Sequence, residues 1–157
     1  MFLYHGSNIT IEEPRLVPAR RKLDFGAGFY LTSDLEQARK WAIRTKTMRE
    51  EGVPSISVFE CDISELEQLR VLSFKSPNRK WLRFVVANRT GNATRQYDIV
   101  SGPVANDQTI RVVNDFINGY LTEDIAIRLL LPQKLKDQYA FKTEDALKCL
   151  HFKEVIL

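Results

Sequence analysis

The stretch Asp24-Phe25-Gly26-Ala27-Gly28-Phe29-Tyr30-Leu31-Thr32 decides how the rest of the chain is read. Its two glycines allow a turn with positive φ, and Asp24 is suited to bonding that turn locally. Gly28 to Thr32 is then a short β-prone run with two aromatics. Ser33 or Asp34 fits an N-cap for a helix that carries Trp41, reaches about Arg49 and stops at Gly52-Val53-Pro54. A turn feeding a strand and then a helix can present Tyr30 and one helix face to a common cleft. The same pattern also fits a hairpin corner whose aromatics are core.

Upstream, Phe2 to His5 reads as an opening strand broken by Gly6-Ser7-Asn8, and residues 9–23, with Pro14 and Pro18, as a loop. Downstream, Ser55 to Glu60 alternates as a strand, with Ile56 and Val58 on one face. A helical turn at Asp62 to Leu66 and a strand at Leu69 to Phe74 follow. Ser76-Pro77 is a helix start, cap then proline, for a helix ending near Gly91. Tyr97 to Ser101 is a strand. Asn106 or Asp107 opens a helix with an apolar stripe at Ile110, Val113, Phe116 and Ile117. Thr122 starts another helix, to Leu131. Gln138 to Phe141 is a strand, Thr143 to Leu150 a short helix and Phe152 to Ile156 a last strand. This irregular interleaving predicts an α+β fold in one domain over residues 1–157.

Composition bounds the function classes. With 44% hydrophobic and 27% charged residues the chain is globular. A net charge of +3 is too mild to imply nucleic acid. Basic residues cluster at Arg15, Arg20, Arg21 and Lys22, and again at Lys75, Arg79, Lys80 and Arg83. Each cluster reads as a solvated face or as a phosphate-contacting surface. Cys61 and Cys149 lack metal-type spacing against His5 or His151, so no metal is expected and two reduced, buried thiols are. No apolar run nears 18 residues and no export signal is evident, which predicts a cytoplasmic protein without a membrane partner.

Familiar catalytic motifs are missing. There is no Gly-x-Ser-x-Gly elbow, no P-loop and no dinucleotide fingerprint. What remains is Tyr4-His5-Gly6-Ser7, then Gly28-Phe29-Tyr30-Leu31-Thr32, then Gln138-Tyr139-Ala140-Phe141. In this order the three resemble the ADP-ribosyltransferase superfamily, in its branch with a His, Tyr, Glu triad. More closely, the chain resembles a bacterial domain-of-unknown-function family of stand-alone transferase-like proteins. That likeness rests on Asp24 to Thr32, Tyr97 to Asp107 and Gln138 to Leu150.

The resemblance implies a split pair of β-sheets with flanking helices, and NAD as substrate. His5 would bond a ribose hydroxyl, the Gly6 backbone with neighbouring Ser7 would hold the nicotinamide carboxamide, and Tyr30 would stack on the nicotinamide ring. Trp41 stands where the family places a second aromatic, after ten intervening residues. The basic loop with Arg21 could meet the pyrophosphate. The third triad member departs from the pattern. Gln138 stands for Glu, keeping hydrogen-bonding shape but losing charge. Asp98, Asp107 and Glu144 are the nearby carboxylates. The implied activity is transfer of ADP-ribose to a macromolecule, protein rather than nucleic acid, by a toxin or host-modifying effector, with a small inhibitory protein as a possible partner. The alternative is a catalytically inactive NAD or ADP-ribose binding or interaction module.

Overall fold

The computed structural model describes residues 1–18 and 22–157, the side chain of Ile63 apart. The chain folds as α+β, with two sheets and five helices. The strands are β1 (Phe2–Ser7), β2 (Phe29–Leu31), β3 (Ser55–Cys61), β4 (Val71–Ser73), β5 (Ile99–Pro103), β6 (Asp137–Phe141) and β7 (Leu150–Ile156). The helices are α1 (Leu35–Arg49), α2 (Arg79–Arg89), α3 (Asp107–Ile117), α4 (Glu123–Leu130) and α5 (Glu144–Leu147), with a 3-10 turn at Ile63–Leu66. One sheet runs β1-β3-β7 and is antiparallel. The other runs β2-β6-β5-β4, with only β4 and β5 parallel.

Local chemistry sets the helix starts. Asp34 accepts from Gln37 N at 2.7 Å, and Asn106 forms a capping box with Thr109. Two helix boundaries differ from the sequence reading. Helix α2 is capped by Asn78, whose side chain accepts from Trp81 N at 2.9 Å, so Pro77 precedes the cap instead of opening the helix. Helix α5 is a single turn, because Leu150 is already paired with Cys61 in β7. Strand β5 runs on through Gly102 and Pro103, which pair with Gln138 and Asp137. In the opening turn, Gly26 alone of its two glycines has positive φ, 81°.

The sheets enclose one core and the helices another. Leu3, Phe29, Leu31, Phe59, Ile99 and Phe141 meet between the sheets, with both cysteines at the edge of that cluster. Phe25, Trp81, Val85, Val100, Val113 and Leu130 pack where α2, α3 and α4 cover the outer face of the second sheet. Ala38 and Ala42 seat α1 on the first sheet beside Ile56. Among the described residues no helix is long and apolar enough to cross a membrane.

The two basic clusters fare differently from a phosphate surface. Arg79 and Arg83 hold Glu123 and Asp124 at the start of α4, at 2.6–2.9 Å, so their charge is matched within the fold. Arg15 pairs loosely with Glu13. Arg20 and Arg21 lie outside the described residues.

Candidate functional site

The two sheets touch at one bridge. Tyr4 and Thr32 exchange both backbone hydrogen bonds, at 2.8 and 3.0 Å, and no second pair follows. Because Tyr4 spends its peptide groups on Thr32, those of Gly6, two residues on, point to the same side of β1. A continued ladder would set Gly6 against Tyr30. Instead His5 Nδ1 bonds Tyr30 O at 2.7 Å and the strands part. The Gly6 N–H and C=O therefore face the gap between β1 and β2.

His5 is fixed twice. Its ring stacks on Phe29, with centroids 4.2 Å apart and planes 21° apart, and its Nδ1 is tied to Tyr30. A carbonyl only accepts, so Nδ1 carries the proton and Nε2 presents a lone pair. Burial lowers the pKa of His5, with a smaller contribution in the same direction from the Arg49 charge, against the opposing bond to Tyr30. The result is a neutral imidazole with one free acceptor.

Tyr30 is held by its own turn. Its hydroxyl donates to Gly26 O at 2.6 Å and accepts from Phe25 N at 3.2 Å. Burial pushes its pKa strongly upward, so the phenol stays protonated. The turn is pinned from outside as well. Asp24, read from the sequence as a local turn residue, instead takes the Arg89 guanidinium at 2.6–2.7 Å. Lys142 Nζ donates to Phe25 O and, at 3.0 Å, to Ala27 O.

Close packing brings α1 to this gap. A Cβ on Gly6 would lie 2.0 Å from Ala38 O and 2.8 Å from Ala42 N. The turn of α1 against Gly6 is thus the one that carries Trp41, which is half-buried. Ser7 is buried, with its hydroxyl 3.4 Å from Asn8 Oδ1.

Gln138 is also buried, and its amide donates to Pro103 O at 3.5 Å, an oxygen that also accepts Trp81 Nε1 at 2.9 Å. It lies one step beyond the Leu31–Tyr139 pair and so falls in line with Thr32 and Tyr4. At sheet spacing, Tyr4 and Gln138 are then about 10 Å apart. The three predicted residues therefore come from three successive strands. They do not share a face. His5 joins the core between the sheets, whereas Tyr30 and, by alternation with Ala140, Gln138 turn toward the helices.

The substitute carboxylates named from the sequence serve the fold. Asp98 accepts from Arg70 N and Thr143 Oγ1, at 2.8 and 2.9 Å, and these bonds hold its carboxyl below the usual range. Asp107 and Glu144 sit in the first turns of α3 and α5. The sequence reading missed Asp137. It accepts from Thr32 Oγ1 and Ser33 N, at 2.8 and 2.9 Å, and from Ser33 Oγ, so it ties β6 to the start of α1. Its position directly before Gln138 was the available signal. Two surface cavities, of about 140 Å³ beside Asp137 and Tyr139 and about 460 Å³ beside Glu65 and His151, are not lined by His5, Gly6, Tyr30, Trp41 or Gln138. Among the described residues no three His, Cys, Asp or Glu side chains are placed to share a metal.

Fold and site together define a two-sheet α+β protein with a histidine-lipped gap where its sheets part. The profile of a family described as "Protein of unknown function (DUF3990)" matches residues 1–152, and the chain belongs to that family. No curated protein and no solved structure matches it.

Proposed function

We propose that the gap between β1 and β2 binds NAD and that the protein is an ADP-ribosyltransferase of the His-Tyr-Glu type, with the split-sheet fold of that superfamily. The observation that carries this reading is the interrupted β1–β2 ladder. It frees a peptide N–H and C=O at Gly6, a donor and acceptor pair matched to a carboxamide. It also sets the neutral His5 Nε2 beside them, able to accept from a ribose hydroxyl. Trp41 and Tyr30 supply the flanking aromatic faces, which suit a flat heteroaromatic ring.

In this reading the nicotinamide leaves with the electron pair of the glycosidic bond, and an acceptor nucleophile attacks the ribosyl cation and gives up its proton. The chain contributes orientation and exclusion of water more than a nucleophile. The macromolecular acceptor, an effector or toxin role and an inhibitory partner rest on the resemblance alone.

A binding-only reading is favoured by one observation. Gln138 has no charge to stabilise the cation, and its amide is turned to Pro103 O. The deciding experiment is nicotinamide release from labelled NAD by the chain and by His5→Ala and Gln138→Ala, alone and with cell lysate. Release or label transfer that His5→Ala removes supports the transferase. NAD binding that needs Tyr30 and Trp41 without release supports the binding module. Neither release nor binding would sink both.

A further inference from the structure

Beyond Gly6, β1 leaves the sheet through Ser7 and Asn8, and Asn8 is the hub of the open end. It is 1% exposed. Its Nδ2 donates to Glu51 O at 3.3 Å and its carbonyl accepts from Val53 N at 2.9 Å, which wraps the end of α1 around it. Gly52 makes this wrap possible, since a Cβ there would lie 2.1 Å from Asn8 O. The remaining group of the side chain, Oδ1, accepts from Arg49 Nη1 at 2.9 Å.

A guanidinium held this way is aimed by a neutral oxygen and keeps its full charge. Arg70, Arg79, Arg83 and Arg89 each hold a carboxylate, whereas among the described residues Arg49 forms no salt bridge. Only one of its five N–H groups is used by Asn8. The Arg49 charge is also felt at His5, so the two groups share one stretch of surface. A ligand with its ring at Gly6 and its sugar at His5 has its next group, an anion in any dinucleotide, running toward this open end.

We infer that Arg49, aimed by buried Asn8, is the residue that takes the pyrophosphate of the bound dinucleotide, a role the sequence had assigned to the loop with Arg21. Guanidinium suits this role because its planar fork meets two phosphate oxygens at once. The inference rests on the proposal that the gap binds NAD, and its test separates the two.

The test is calorimetric titration of the full chain and of Arg49→Gln with NAD, with nicotinamide riboside, which lacks the pyrophosphate, and with inorganic pyrophosphate. Circular dichroism and melting confirm that the variant is folded. The expected result is NAD and pyrophosphate binding weakened about tenfold or more, the loss of a charge-assisted hydrogen bond, with riboside binding unchanged. Added salt should weaken NAD binding to the parent chain more than to the variant. Equal NAD affinity in both chains overturns the role of Arg49 and leaves the NAD reading standing. If the parent chain binds neither NAD nor riboside, the NAD reading falls, and Arg49-dependent pyrophosphate binding alone decides whether the anion site survives. Loss of riboside binding in step with NAD would mean that Arg49 merely supports the fold of the gap, and that too overturns the assignment.

Discussion

At the scale of single residues, the chemistry turns on a histidine that replaces a backbone donor. Tyr30 O would have accepted from Gly6 N in a continued ladder, and His5 Nδ1 takes that place. Two consequences can be measured. Nitrogen-15 NMR should find His5 in the Nδ1–H tautomer, titrating below its ordinary value of 6.5. A midpoint at or above that value, or the opposite tautomer, would remove the acceptor that the proposed site needs. The lowered pKa also fixes the sign of a stability effect. Between the folded and unfolded pKa the unfolded chain binds more protons, so this group makes the protein less stable as pH falls from 6.5 toward the folded value. The second residue that matters is Gln138. If the gap is a transferase site short of its carboxylate, Gln138→Glu should raise nicotinamide release by roughly tenfold or more, the scale of one positioned electrostatic contact. An unchanged or lower rate, with NAD still bound, would favour the binding module. His5, Gly6, Tyr30, Trp41 and Gln138 could all be picked from spacing, because each sits in a short motif of fixed order. That Tyr30 and Gln138 turn away from His5 could not be picked, since it depends on strand pairing across more than a hundred residues of chain.

At the scale of elements, α1 is seated on β1 by the absence of a side chain. A Cβ on Gly6 would strike the backbone of α1 at Ala38 and Ala42, where no rotamer can move aside. Gly6→Ala must therefore shift the helix or the strand, and overpacking of this kind costs about 1–3 kcal/mol. For a chain of this size that lowers the melting temperature by about 2–4 °C per kcal/mol, and thermal unfolding by circular dichroism would read it. A variant that melts with the parent chain would show that α1 is not packed here as described. The elements were legible wherever a cap or a stripe was local. Asp34, Asn106 and Thr122 open helices as their side-chain chemistry suggests, and Val113 is buried at the centre of the stripe on α3. The failures share one cause. Strand β5 overran the Gly102-Pro103 breaker because β6 pairs with it there, and α5 was cut short because β3 claims Leu150 for β7. Long-range pairing outranked the local signal in both. Asp24 is a third instance, since its partner is the far end of α2 instead of its own turn.

At the scale of the whole molecule, the core between the sheets holds the two halves together, because only the Tyr4–Thr32 bridge joins their backbones among the described residues. Both cysteines belong to that core, at 0% and 5% exposure for Cys61 and Cys149. Burial pushes the Cys61 thiol up to about 11 and raises Cys149 as well, so neither offers much thiolate near neutral pH. Reaction with a bulky aromatic disulfide such as DTNB thus requires the sheets to separate. In native buffer at pH 8 both thiols should be silent over minutes, and in denaturant both should react at once. Between these limits, in an excess of reagent, the rates report the opening that exposes each thiol. A common rate for the two cysteines, changing with denaturant as global unfolding does, would mean that the sheets part only when the whole chain unfolds. If Cys149 reacts well ahead of Cys61, then β7 peels from the edge of the first sheet while the rest stays folded. Either result bears on the proposed site, since the gap between β1 and β2 can open for a ligand only as far as this shared core allows.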